Sequence, residues 1–134
     1  MTSSFNQTYL SADDDDKMEL LANITQPLTP EAFKFLFTQL GEYEDEDEFV
    51  MIEIIKVLAL YSPNEKHKDV IKLLFQIIKN SDDELLQSHA MHGLEHLNLS
   101  QKDYENITKI KNSTDNENLQ AIADMIFLRK NNAL

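Results

Sequence analysis

The chain has no cysteine and no tryptophan, and its 134 residues include only two glycines and three prolines. Without cysteine there can be no disulfide, no thiolate metal ligand and no cysteine nucleophile. The scarcity of glycine and proline leaves little material for β-turns. A chain so rich in Leu, Ile, Lys, Glu and Asn is therefore expected to be all-α. Its length is sufficient for one hydrophobic core, and a single domain over 1–134 is expected.

Long apolar runs and positive charge are also scarce. No apolar run approaches the roughly 18 residues of a membrane span, and the N-terminus lacks the basic start and apolar stretch of a signal peptide. A cytoplasmic protein without a membrane partner is expected. The net charge of −12 argues against direct binding to nucleic acid, which favours clustered Lys and Arg. Residues 1–61 hold 13 acids and 3 bases, against 11 and 9 in residues 62–134, so the acidity is regional.

Apolar periodicity divides the chain into an N-terminal part and three helix pairs. The predicted segments are 1–28, with a helix over 12–24 after either a loose arm or a short first helix, and the pairs 29–63, 64–99 and 100–131. Pro30 and Gly41 mark the start and end of one helix, and Ser100 and Thr114 each begin a predicted capping box. The stretch from 70 to 78 is apolar on nearly every side, which predicts that its helix is covered all round.

The acidic segment Asp13 to Lys17 has two interpretations. It is identical to the enteropeptidase recognition sequence that expression vectors carry, which would make it a cloning remnant. It is equally a sound helix start, because Ser11 can cap the helix and the acids that follow complement its N-terminal dipole.

The second helices of the three pairs align with one another: Val50 corresponds to Leu86 and Leu119, and Leu58 to Leu94 and Phe127. A repeat of about 35 residues is typical of an α-solenoid. The segment from Leu74 to Leu97 resembles a HEAT repeat, with an amphipathic helix, a tight acidic turn and a second helix carrying leucines and a small residue. The resemblance implies a short HEAT-like α-solenoid of about three antiparallel helix pairs plus an N-terminal helix, whose second helices line a concave binding surface.

Three histidines follow one another along the second helix of the central pair. His89, His92 and His96 share one side of that helix, and the repeat alignment places Glu53 and Lys56 beside them. Two histidines one turn apart can share a metal ion, but no closing ligand is evident, so no metal site is predicted. A patch of mixed charge with apolar neighbours is more typical of a protein contact surface.

The acidic run from 42 to 48 admits three interpretations: a solvated loop, a calcium site or a docking surface for a cationic partner. The calcium interpretation is disfavoured because the run lacks the glycine and ligand spacing of an EF-hand. Acids concentrated at one end speed association with a cationic protein. The predicted partner-binding residues are Glu42, Glu44, Asp45, Glu46, Asp47, Glu48, Glu53, Lys56, His89, His92 and His96.

The sequence contains no catalytic motif, no phosphate-binding loop and no feature that calls for a cofactor, so an enzyme is not expected. In length, charge and lack of active-site motifs the chain resembles the small acidic bacterial immunity proteins of contact-dependent growth inhibition systems. That resemblance implies an inhibitor that occludes a cognate basic toxin domain, a nuclease among the options. The alternative is a HEAT-like adaptor or scaffold that inhibits nothing.

Overall fold

A computed structural model describes residues 4–42 and 46–132. Within these ranges the protein is all-α, as predicted, with eight α-helices, one turn of 3-10 helix and no strand. The elements are α1 Ser4–Ser11, α2 Asp14–Ala22, α3 Pro30–Glu42, α4 Glu48–Tyr61, the 3-10 turn Asn64–Lys66, α5 His67–Asn80, α6 Glu84–Leu94, α7 Gln101–Ser113 and α8 Glu117–Asn132. The segment 4–11, which the sequence left open, is a helix.

The helices pack in two layers that follow the order of the chain. One layer is a row in which α2 contacts α4, α4 contacts α6, and α6 contacts α8. The other layer contains α1, α3, α5 and α7, and each of these packs on the helix that follows it. Each helix of the row therefore contacts the helix that precedes it in the chain.

The centre of the core is α4 rather than α5. Seven residues of α4 are buried, because α2 and α6 flank it and α3 and α5 cover it from behind. The expectation that α5 is covered on every side is wrong for its outer face, where Lys68, Lys72 and Gln76 are exposed. The apolar residues of α5 nonetheless contribute to the core, since Val70 and Leu74 are completely buried.

Several helix ends differ from the sequence expectation. Gly41 does not end its helix, because α3 continues to Glu42 and no described glycine has a positive φ. In the pair predicted over 64–99, the second helix already ends at Leu94. From there three successive i→i−3 backbone hydrogen bonds tighten the chain, the last joining the Leu97 N–H to the Leu94 carbonyl.

One predicted capping box is confirmed and the other is wrong. At α7 the Ser100 hydroxyl accepts from the Asp103 N–H, and the Asp103 carboxylate accepts from the Ser100 N–H. At α8 the cap is Asn116 instead of Thr114, since the Asn116 side chain accepts from the Leu119 N–H. Thr114 instead accepts from the Asn116 N–H, which shapes the turn before the helix.

The segment Asp13 to Lys17 is an integral part of the fold. Asp13, rather than Ser11, caps α2, because its carboxylate accepts from the Asp16 N–H at 2.9 Å. Lys17 reaches Glu46 across 3.4 Å and ties α2 to the segment before α4. None of the described helices is both long and apolar enough to cross a membrane.

Candidate protein-binding surface

The N-termini of the four helices in the row lie along one edge of the molecule. Three contacts show this arrangement. Lys17 in the first turn of α2 pairs with Glu46 just before α4, and Glu48 at the start of α4 lies close enough to Asp83, the cap of α6, for Asp83 to raise the pKa of Glu48. The Asn116 amide at the start of α8 donates to a carbonyl in the first turn of α6 at 3.2 Å.

This alignment collects acidic side chains that are far apart in the sequence. Twelve of the chain's 24 acidic residues belong to the four helix starts, and we call them the acidic edge. Its members are Asp13, Asp14, Asp15, Asp16, Glu46, Asp47, Glu48, Asp82, Asp83, Glu84, Asp115 and Glu117. Acids stabilise helix N-termini, and three of these residues are caps, so part of the pattern serves the fold. The remaining acids exceed what capping requires.

The edge is most acidic toward α2 and α4. Lys17 is the one base in the α2 start, and its charge is directed inward against Glu46. Toward α6 and α8 the edge is less acidic, because α5 and α7 end there and carry Lys79 and Lys111 in their last turns. Lys111 is paired with Asp124 on α8. The field of the edge is therefore strongest where the chain's first half contributes to it.

Glu46 is a member of the acidic edge by position, but its side chain is buried rather than exposed there. Only 6% of its side chain is exposed, and its carboxylate accepts a hydrogen bond of 2.8 Å from the hydroxyl of fully buried Tyr9. Burial, then this hydrogen bond and the nearby charges of Glu46 and Asp14, raise the pKa of Tyr9 far above its ordinary value. The side chain predicted to meet a partner is thus engaged by α1 and α2.

The other residues of the predicted acidic run differ from one another in position and contacts. Asp47 caps α4, since its carboxylate accepts from the N–H groups of Phe49 and Val50. Glu42 is exposed at the end of α3. Glu44 and Asp45 lie outside the described residues.

Glu48 and Asp83 form a pair of like charge. A hydrogen bond with Asp83, followed by partial desolvation and the charges of Asp83 and Asp47, raises the pKa of Glu48 above its ordinary value. The pKa of Asp83 is lowered, first because its carboxylate accepts from the Leu86 N–H. Two carboxylates in contact repel each other when both are ionised, so the pair does not stabilise the fold at neutral pH.

Beside the acidic edge, the outward stripes of three row helices form a second surface. We call it the second-helix face, and its members are Phe49, Glu53, Lys56 and Leu60 of α4, Leu85, His89 and His92 of α6, and Ile122 and Met125 of α8. Large apolar side chains are unusually exposed here: Phe49 by 56%, Leu60 by 55% and Met125 by 52%. Phe49 and Leu85 each directly follow an acidic-edge residue, so the two surfaces adjoin.

The structure brings together the central residues of this face as the repeat alignment predicts. Burial, then the charges of Lys56 and His92, lower the pKa of His89, while the charge of Glu53 acts in the opposite direction. Lys56 and Glu53 are themselves joined by a hydrogen-bonded ion pair of 3.1 Å. Residues of α4 and α6 that lie 36 positions apart in the sequence are therefore neighbours in space.

His96 lies beyond the end of α6 but remains close to His92. Its ring lies 5.7 Å from that of His92, centroid to centroid and edge-on. Between them Glu95 directs one carboxylate oxygen to His92 Nε2 at 3.3 Å and the other to Arg129 Nε at 2.6 Å. Sequence reasoning missed both Glu95 and Arg129. The spacing H-x-x-E-H over 92–96, shared with one class of zinc-binding helices, is the signal that could have found Glu95.

His67, the fourth histidine, has a structural role. It is buried at the start of α5, and its Nδ1 accepts from the Asn98 N–H at 3.1 Å. This bond fastens the loop after α6 to α5 at the edge opposite the acidic one.

An open groove of about 780 Å³ runs between α5 and α7 on the other side of the molecule. Ile71 and Phe75 form its floor, and Lys68, Lys72 and Lys102 are among its charged walls. The groove shows that the two layers differ in charge: acids dominate the starts of the row helices, and lysines the outer faces of α5 and α7.

Comparison with protein-family models, curated proteins and solved structures gave no match.

Proposed function

We propose that the protein is a protein-binding inhibitor, an immunity protein that neutralises a cognate basic toxin domain by electrostatic docking and occlusion. The observation that carries the proposal is the convergence of acids from separate helix starts on one edge beside exposed apolar residues. The inhibition would be steric: acidic side chains mimic the phosphates of a nucleic-acid substrate at the toxin's cationic cleft, or cover that cleft.

The electrostatic support comes from the acids of the edge that are not helix caps. Asp14, Asp15, Asp82 and Glu84 are exposed and none of them is a helix cap. The Glu48–Asp83 contact adds repulsion within the edge. Charges that lower the stability of a protein on its own are typical of binding sites, where a partner of opposite sign compensates them.

The apolar support comes from the second-helix face. Specific protein interfaces combine an apolar centre with a polar rim, and exposed aromatic and Met side chains are enriched at their centres. Phe49 and Leu85 stand next to the acids Glu48 and Glu84, which gives this combination in one place. A partner that covers both surfaces gains apolar burial and charge complementarity together.

The arrangement of the row supports a short HEAT-like α-solenoid as the finer description of the fold. Successive contacts from α2 to α8, with one antiparallel helix behind each, are the packing that stacked helix pairs produce. In such a stack the second helices form a continuous binding surface, and the second-helix face occupies that position.

An adaptor without inhibitory activity is the second candidate, and the exposed apolar residues of the second-helix face are the observation in its favour. An adaptor would use that face to join two proteins and would leave the activity of both unchanged. Inhibition of the partner's activity is therefore the property that separates the two candidates.

The test is co-expression with the C-terminal domain of the large secreted protein expected from the neighbouring upstream gene. We expect that domain to be basic and to kill cells unless this protein is present. Cell death that persists despite co-expression would contradict the proposal. Binding without rescue would favour the adaptor.

A further inference from the structure

We infer that His92, Glu95 and His96 form a binding site for a single zinc ion. The side-chain ligand atoms of the three residues all lie within 4.8 Å of one another. Two imidazoles and one carboxylate are a ligand set that zinc binds, and such a set leaves a fourth position open to water or to a partner's side chain. This inference does not depend on the proposed function.

The local backbone explains why these three residues meet. After Leu94 the chain leaves the α-helix through successive hydrogen bonds, from the Glu95 N–H to the His92 carbonyl and from the His96 N–H to the Gly93 carbonyl, both 3.2 Å. The tightened turn brings residues 92, 95 and 96 to one side. Gly93 fixes the turn against the core, because a Cβ there would lie 3.2 Å from both Ile55 and Leu74.

The side chain of Glu95 is already fixed in position without a metal ion. Only 3% of its side chain is exposed, so its position is determined by the surrounding structure. Arg129 Nε forms an ion pair with one carboxylate oxygen at 2.6 Å, and the other oxygen lies 3.3 Å from His92 Nε2. Metal-binding carboxylates are commonly oriented by an outer partner of this kind, which leaves one oxygen free for the metal.

The histidines supply the adjustable part of the site. Tetrahedral zinc with bonds of about 2.1 Å requires ligand atoms roughly 3.4 Å apart. The Glu95–His92 separation of 3.3 Å already meets this requirement. Both imidazoles are on exposed residues, so rotation of the His96 ring can close the remaining distance without moving the core.

Calorimetric titration of the tag-free full-length protein with zinc chloride at pH 7.5 tests the inference. We expect one equivalent to bind, with magnesium giving no heat. Replacement of either exposed ligand, His92→Ala or His96→Ala, should weaken zinc binding by about 100-fold, and Arg129→Gln by about tenfold as an outer partner. The matched control is His89→Ala. His89 lies in the same helix as His92 but is not a proposed ligand, so its replacement should leave the zinc affinity within about twofold.

Imidazole ¹⁵N NMR of the unaltered protein gives a second measurement that needs no variant. We expect zinc to shift the ring nitrogens of His92 and His96 at one equivalent and to leave those of His67 unchanged. The inference is overturned if zinc does not bind, if His96→Ala binds as tightly as the unaltered protein, or if His89→Ala loses as much affinity as His96→Ala.

Discussion

At the scale of single residues, Glu46 shows how a side chain in an acidic run can serve the fold instead of a partner. Its carboxylate meets a buried hydroxyl and an ammonium group, those of Tyr9 and Lys17, from two different helices. A hydrogen bond to an ionised group in such a position is worth more than a neutral one, because the carboxylate cannot recover the lost partner from water.

The exchange Tyr9→Phe should therefore lower the free energy of unfolding by about 1.5–3 kcal/mol. The ring and its packing remain, and only the hydroxyl that donates to Glu46 is lost. Urea denaturation at pH 7 measures the change. Tyr104→Phe is the matched control, since Tyr104 contributes its ring, against Phe127 and Lys130, and should change stability by less than about 0.5 kcal/mol. Equal losses in the two variants would contradict the account of Glu46.

The Glu48–Asp83 contact makes a prediction about pH. Because the pKa of Glu48 is raised in the folded protein, its contribution to stability is present at acid pH and is lost as the pH rises through that pKa. In Glu48→Gln the amide donates to Asp83 at every pH. The variant should therefore melt at a higher temperature than the unaltered protein at pH 7, and this advantage should shrink toward pH 4.

Thermal melting followed by circular dichroism between pH 4 and pH 7 checks this expectation. Glu53→Gln serves as the control, because Glu53 faces Lys56 rather than another acid and its loss should not stabilise the protein at pH 7. An advantage of Glu48→Gln that is constant with pH would show that repulsion within the pair is not its cause.

At the scale of helices, the two glycines have opposite roles although both lie in α-helices. An alanine Cβ at Gly41 would meet Leu73 at 3.5 Å, an ordinary contact, whereas at Gly93 it would lie 3.2 Å from each of two buried side chains, Ile55 and Leu74. Alanine favours the helix over glycine by about 0.5–1 kcal/mol. Only at Gly41 is the space present to gain that benefit.

Gly41→Ala is accordingly expected to raise the free energy of unfolding by about 0.5–1 kcal/mol, and Gly93→Ala to lower it by about 1 kcal/mol through overpacking between α4, α5 and α6. Urea denaturation of the two variants provides the comparison, and each acts as the control for the other. A stabilised Gly93→Ala would mean that the three helices are less closely packed than described.

The sequence predicts the helices better than it predicts their ends. Periodicity correctly indicates α3 to α8, because each buries one stripe of apolar residues. Ends depend on competition between nearby caps: Asp13 caps α2 in place of Ser11, and Asn116 caps α8 in place of Thr114. Such choices are settled by the packing of the adjoining helices, as where the Asn116 amide reaches Glu84, and one segment's sequence does not contain that information.

The candidate surfaces were predictable to different degrees. The repeat alignment correctly placed Glu53 and Lys56 near His89, because equivalent positions of neighbouring repeats face the same way. The acidic edge was not foreseen, since it depends on parallel packing of helices whose starts are more than 30 residues apart. Glu46 is buried against Tyr9, and Glu95 pairs with Arg129. Both contacts join residues more than 30 positions apart, so the sequence around either residue does not reveal them.

At the scale of the whole molecule, we propose the acidic edge as the docking surface for a cationic partner. Charge on an interface acts chiefly on the rate of association, and its effect declines as salt screens it. Four exposed acids outside the edge allow a comparison in which the same number of charges is removed. They are Glu31 in α3, Glu65 in the turn before α5, Asp69 in α5 and Glu105 in α7. None of these four acids belongs to the start of a row helix.

The most direct test is the association rate with the toxin domain at low and high salt, measured by stopped flow for two variants of equal net charge. One variant carries Asp14→Asn, Asp15→Asn, Asp82→Asn and Glu84→Gln, and the other carries Glu31→Gln, Glu65→Gln, Asp69→Asn and Glu105→Gln. We expect the first to associate about tenfold more slowly at low salt, with the difference vanishing at high salt, and the second to stay within about twofold of the unaltered protein. Equal slowing in the two variants would contradict the claim, because net charge rather than the acidic edge would then control the encounter.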